Sequence, residues 1–311
     1  MPTLRTQRPH QQVSHQNGQT PSSTSTACSL HLLHNLENHA ANPRPFHIGL
    51  GHPLIDASIH SALPTPNETW HTLSDLLDNY GEKLDAHLAA ITHQHGGNPA
   101  MAASFFAAWW ASPLAYVAIG AYFTMRTLPD ISPENVSLRP HTTGAFDGIN
   151  LLSPSPLLNC PANSQETAFQ QIAEELCSHM DPLLTALRSR ASIGRRTLSG
   201  ALANTCASAY RRIGRNTGDI FRAYQEANAF FNATSSFFTC RPQVTLTASP
   251  TGKFDVGLIK GTCCLSFKRA ENSACTTCPL LETKRKVSLR SHRSFPSDGP
   301  PVSPESTTKS A

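Results

Sequence analysis

Cys263 and Cys264 stand side by side, ten residues follow, and Cys275-Thr-Thr-Cys278-Pro279 closes the run. Four thiols gathered in one sixteen-residue segment suit a soft, sulfur-loving metal centre. A Cys-x-x-Cys turn brings two sulfurs within chelating distance of one metal, and a second pair nearby completes a tetrathiolate set for an iron-sulfur cluster or a zinc ion. Neighbouring side chains of an extended strand point to opposite faces, so Cys263 and Cys264 must sit in a bend to bind together. Gly261, just before them, is placed to help the backbone turn.

The chain has 311 residues and nine cysteines. That length fits one large domain or two small ones with flexible ends. The other five cysteines, Cys28, Cys160, Cys177, Cys206 and Cys240, are scattered, and the stretch from Met1 to Gln19 is polar with no apolar signal-like run. This points to a reducing compartment and to the cytoplasm. The formal net charge is only +4, without a basic stripe interleaved with aromatics, which argues against a nucleic-acid partner. Gly96 to Met125 carries no charged residue until the chain leaves it at Arg126, and by length it could span a bilayer. Its Ala and aromatic content and Pro113 favour a buried helix pair instead, with a span or peripheral attachment to the inner membrane face as alternatives.

The elements that must position the cysteines are mostly helices. Residues 1–45 are polar and lack hydrophobic periodicity, so they are expected to be disordered. From Thr69 to Thr92, Leu73, Leu76, Leu77, Tyr80, Leu84, Leu88 and Ile91 recur at helical spacing and predict one helix. Val136–Arg139 and Phe146–Leu152 flank His141-Thr-Thr-Gly144 and predict a hairpin, with Glu134 and Asn135 shaping the turn before it. Asn163 with Glu166 resembles a capping box at the start of a helix carrying Phe169, Ile172, Leu176, Leu183, Leu184 and Leu187, which Pro182 should kink or divide. A longer helix is expected from Thr197 to Asn232, with Phe221, Tyr224 and Phe231 inward and Gly214 or Gly218 as interruptions. Val244–Thr247 and Lys253–Ile259 predict a second hairpin that leads straight into the cysteines. The fold class is therefore α+β, mainly helical, with short β-hairpins and a C-terminal four-cysteine segment. Its divisions are 1–45, 46–255 for the helical domain, 256–283 for the cysteine segment, and 284–311 for a basic, Ser/Pro-rich tail.

Gly261-Thr-Cys-Cys-Leu-Ser-Phe-Lys-Arg269 followed by Ala274-Cys-Thr-Thr-Cys-Pro-Leu280 resembles the 2Fe-2S segment that closes the FhuF-type ferric siderophore reductases. Two adjacent cysteines, ten residues, then Cys-x-x-Cys-Pro is an unusual spacing. The likeness extends more weakly through Ser132–Leu138 and Gly194-Arg-Arg-Thr-Leu198, from Leu128 to Leu281 in all. Ser266, Phe267 and Lys268 stand where that family shows an aromatic pair and an Arg, and Ser199-Gly200-Ala201 where it often has Trp-Gly-Asn.

The resemblance implies a 2Fe-2S cluster on Cys263, Cys264, Cys275 and Cys278, and a one-electron reduction of a ferric siderophore, most simply a hydroxamate. On that basis Cys275 and Cys278 are expected on one iron and the adjacent pair on the other, with Lys268 and Arg269 as nearby positive charges. Gly49-Leu-Gly51 lacks a third glycine and no Walker loop occurs, so electrons are expected from a separate ferredoxin or flavin reductase. The rival class is a four-cysteine structural zinc site in an interaction module, and a third reading is an iron-sulfur protein that binds siderophore without turning it over. His93, His95, His31, His34 and His39 are weaker metal candidates, the basic group Arg195, Arg196, Arg211, Arg212 and Arg215 is a candidate anion-attracting face, and Trp109 and Trp110 are candidate pocket walls or core.

Overall fold

The computed structural model describes residues 47–50, 70–141, 144–152, 158–159, 164–248, 252–269 and 274–281. The two segments expected to be disordered, and with them His31, His34 and His39, lie outside these residues. Among the described residues helices predominate, with a few short strands, which makes the fold mainly helical α+β, as the periodicities predict.

Strand β1 (His47–Leu50) precedes β2 (His71–Thr72), which runs directly into α1 (Leu73–Leu77). Thr72 caps α1 reciprocally. Its hydroxyl accepts the Asp75 N–H at 3.1 Å, and the Asp75 carboxylate accepts the Thr72 N–H at 2.8 Å. The single helix expected across this region is two, because Asn79, Tyr80 and Gly81 all take left-handed backbone before α2 (Glu82–His95) begins. Tyr80 is consequently 99% exposed rather than in the core. Arg190 holds the break, donating to the Tyr80 carbonyl and, at 2.6 Å, to Asp85.

Helix α3 (Pro99–Met125) is one continuous 27-residue helix, not the expected pair. Asn98 caps it by accepting the Met101 N–H at 3.0 Å, and Pro99 occupies the first turn, where its missing N–H costs nothing. Pro113 lies inside and buried. A helix-interior proline costs about 3 kcal/mol, whereas each fully buried large side chain contributes about 1.5–3 kcal/mol, and Phe106, Trp110, Leu114, Val117 and Ile119 are all buried on this helix. By length and composition α3 could cross a membrane, but 78% of its most apolar window is buried inside the molecule.

After β3 (Thr127–Leu128), strands β4 (Val136–Pro140) and β5 (Phe146–Leu151) form the predicted antiparallel hairpin. Asn135 shapes the turn before it, donating from Nδ2 to the Asp130 carbonyl at 2.8 Å. The sheet runs β1-β5-β4-β2, with β1 parallel to β5, an edge the sequence did not announce. Strand β6 (Leu158–Asn159) pairs with β3. Helix α4 (Gln165–Arg190) is capped by Ser164, whose hydroxyl accepts the Thr167 N–H at 3.1 Å, and Pro182 does not divide it. The expected cap Asn163 lies outside the described residues.

The long helix expected here is interrupted at Gly218, one of the two glycines named for it, into α5 (Arg195–Thr217) and α6 (Ile220–Ala233). Gly218 ends α5 in the left-handed region at φ 77°, and Asp219 caps α6 by accepting the Arg222 N–H at 3.2 Å. Phe221 faces outward, 53% exposed, its ring tilted against that of Phe254 with centroids 5.0 Å apart. Strands β7 (Gln243–Ala248) and β8 (Phe254–Ile259) form the second predicted hairpin and pack on α6 and α5. Helix α3 is the hub, packed against α2, α4 and α5. The cysteine segment leaves β8 alongside α5.

Candidate metal centre

The segment is fastened to α5 before it reaches the first cysteine. Gly261 N–H donates to Asn204 Oδ1 at 2.8 Å, and Asn204 Nδ2 donates to the carbonyl and hydroxyl of Thr262 at 3.3 Å. Gly200 and Gly261 make this approach possible. A Cβ on Gly200 would collide with the Thr262 side chain, and one on Gly261 would lie 2.5 Å from the Cys240 carbonyl oxygen and 2.6 Å from that of Arg241. Gly261 therefore serves close backbone approach. The bend itself falls after the adjacent cysteines, at Leu265, which takes left-handed backbone at φ 61° and directs its N–H to Cys263 Sγ at 3.4 Å.

The second pair sits in a tight turn. Cys278 N–H donates to the Cys275 carbonyl at 3.0 Å, and Lys260 N–H donates to the Thr277 carbonyl at 3.0 Å, which joins the end of β8 to the Cys-x-x-Cys turn. All four sites are thus brought together, and all four are free thiols. They meet across the two motifs. Cys264 Sγ lies 3.6 Å from Cys275 Sγ, and the side chain of Cys263 interacts with that of Cys278. Cys278 is 4% exposed, while the other three are half-buried.

One cation serves the sulfurs. Lys260 Nζ lies 3.3 Å from Cys264 Sγ and 3.5 Å from Cys275 Sγ. Lys268 and Arg269, expected in this role, make no recorded contact with sulfur: the Lys268 side chain is exposed and Arg269 Nε is buried without a partner. Burial opposes ionisation of Cys264, but Lys260 and the amide and hydroxyl of Ser266 overcome it and hold the thiol below its ordinary pKa. Cys275 is pushed up by burial, against the pull of Lys260 and with the charge of Cys264 adding to the rise. Cys263 is raised, by burial first, with the Leu265 N–H opposing.

This donor set fits a thiolate-bound centre, since soft sulfurs, N–H donors to sulfur and a cation for excess negative charge are all present. Two sulfurs on one tetrahedral metal with ~2.3 Å bonds stand roughly 3.8 Å apart, close to the Cys264–Cys275 separation. Among the described residues no three or more His, Cys, Asp or Glu side chains gather around one point as a single ion requires. The sulfurs come as two pairs.

Two cavities flank α5. A small one of about 170 Å³ lies between α3 and α5, lined by Trp109, Asn204, Lys260, Cys263 and Cys264, and by Ser104, whose buried hydroxyl has no partner. A larger one of about 640 Å³ lies between α4 and α5, lined by Met180, Leu184, Arg195, Arg196, Leu202 and Phe237. Trp110 is core, donating to His179, whereas Trp109 looks toward the cysteines. The basic residues are not a free face: Arg211 and Arg215 pair with Asp255, Arg195 with Asp181, Arg212 lies over Tyr116, and Arg196 donates to Cys240 Sγ. His95 packs with Phe105 and Trp109. Lys260 and Asn204 escaped the sequence reading, although an Asn among the apolar residues of α5 was a visible signal for the second.

The chain matches no protein-family model, and no curated protein matches it.

Proposed function

We propose that the chain is a ferric siderophore reductase, transferring one electron to a ferric hydroxamate in the cytoplasm, with a 2Fe-2S cluster held by Cys263, Cys264, Cys275 and Cys278. The observation that carries this reading is that four free cysteines come as two cross-motif pairs, Cys264 with Cys275 beside the Lys260 ammonium and Cys263 with Cys278, three of the four open in part to solvent. When bound, such a cluster supplies electrons one at a time, at a potential set by charge, hydrogen bonds to sulfur and exposure.

The protein's own residues hold and tune. Gly261, Thr262 and Asn204 fix the segment on α5, Leu265 N–H and Lys260 donate to sulfur, and the half-buried sulfurs leave an external complex room to approach. A separate one-electron donor, a ferredoxin or a flavin reductase, supplies the electron. The ferric complex accepts it, and the resulting Fe(II), less strongly charged, is held less tightly by hydroxamate oxygens. Release follows from reduction.

A structural zinc site is supported less well. Hydrogen bonds to α5 already anchor the segment, and the sulfurs are split into pairs rather than gathered on one point. The test is anaerobic purification with visible absorbance, iron, sulfide and zinc counts, and EPR after dithionite. Brown protein with about two irons and two sulfides and a rhombic signal on one-electron reduction supports the reading, and turnover of ferric hydroxamate with a chemical reductant separates a reductase from a carrier. Colourless protein with one zinc overturns it.

A further inference from the structure

We propose that Lys260 is the residue that tunes the centre, its ammonium set against the Cys264 and Cys275 sulfurs so as to raise the potential of a cluster held there. This rests on the iron-sulfur reading above. The sequence pairs neighbours, Cys263 with Cys264 and Cys275 with Cys278, but the structure pairs across the motifs. Cys264 and Cys275 are 3.6 Å apart, the spacing expected of two sulfurs on one tetrahedral metal, and Cys263 interacts with Cys278.

Lys260 touches one sulfur from each motif and both belong to the same cross-motif pair, at 3.3 and 3.5 Å. The contact is built in at the backbone, because Lys260 N–H also bonds the Thr277 carbonyl inside the Cys-x-x-Cys turn. Adding an electron adds a negative charge, and a half-buried ammonium stabilises that charge most at the nearer metal. The Cys263 and Cys278 side has a neutral donor instead, the Leu265 N–H at 3.4 Å. A cluster held by these cysteines would therefore have its added negative charge offset on the Cys264 and Cys275 side by the Lys260 ammonium.

The experiment is an EPR-monitored redox titration of anaerobically purified wild type, K260M and K260R, with iron and sulfide counts on each preparation. Expected results are a downward shift in midpoint potential for K260M and a potential near wild type for K260R. A K260M protein that keeps its iron and sulfide at an unshifted potential overturns the role of Lys260 while leaving the reductase reading intact. Wild type that holds one zinc and no iron overturns the reading on which that role stands.

Discussion

Gly261 offers the cleanest single-atom test of how the cysteines are held. A methyl there would press on the carbonyl oxygens of Cys240 and Arg241 at 2.5 and 2.6 Å, and backbone cannot swing away as a side-chain tip can. Gly261→Ala should destabilise the protein by about 1–3 kcal/mol, the usual cost of overpacking, and lower metal content in step, read by thermal unfolding and metal analysis of the same preparation. Full metal with an unchanged melting temperature would show that the segment is not seated on Cys240. At the ligands the expectation is stronger: replacing any of Cys263, Cys264, Cys275 or Cys278 by Ser should bleach or destabilise the centre and abolish reduction, and a fully coloured, active Cys264→Ser protein would break the ligand set. The four cysteines were legible because their chemistry depends on residue type and short spacing, which the sequence prints. Lys260 was not, since its partners come from two motifs joined by the Lys260–Thr277 backbone bond. The nearby basic pair in sequence, Lys268 and Arg269, drew attention instead.

Among the elements, both hairpins and the apolar faces of α4 and α5 follow from periodicity, α3 follows from an uncharged apolar run, and the boundaries are where the reading errs. Two prolines carry too much weight in it, and the break at Asn79–Gly81 is not foreseen, whereas that at Gly218 is. Pro113 and Pro182 each remove one backbone bond, a local cost that burial along α3 and α4 outweighs. The break at Asn79–Gly81 cannot be seen in the Leu spacing, because it depends on Arg190, more than a hundred residues away, which bonds both the Tyr80 carbonyl and Asp85. That dependence is testable. Arg190→Ala should destabilise by about 1–3 kcal/mol, since it strips a charged donor from the Tyr80 carbonyl and from Asp85, and hydrogen exchange should rise at residues 79–85 before the rest of α2. Unaltered exchange there would place the cause of the break in the local sequence alone. The parallel strand β1 was missed for a related reason: a four-residue edge strand, paired only with the distant β5, carries no period long enough to read.

Across the whole molecule, three histidines tie stability to pH in one direction. His179 is fully buried between α3, α4 and the approach to β4. Its Nε2 accepts the Trp110 indole N–H at 3.1 Å, which leaves Nδ1–H to donate to the Ile131 carbonyl at 2.7 Å. A second proton would set N–H against N–H, and burial alone already lowers this pKa. His87, between Phe106 and Phe146, is lowered by burial and by His71 to about 4, and His71 is lowered by burial and Lys83, with Asp75 opposing. Folded pKa values below the unfolded 6.5 mean that these groups contribute fully above pH 6.5 and that the contribution is lost as pH falls toward 4. Glu175, raised by burial, works against this trend, and Asp255, held at about 2 despite burial by Arg215 and Arg211, acts only below its ordinary 3.8. The melting temperature should therefore decline steadily between pH 6.5 and 4, well before the carboxylate transition. His87→Phe should flatten part of that decline, because the apolar ring keeps the contacts with Phe106 and Phe146 and cannot take a proton. His179→Phe would not do the same service, as it strands the Trp110 N–H and the Ile131 carbonyl in the core at a cost of about 1–3 kcal/mol at every pH. Equal slopes for wild type and His87→Phe would remove His87 from the account and leave the acid sensitivity to His71 and to the buried His179 network that joins the central helix to α4.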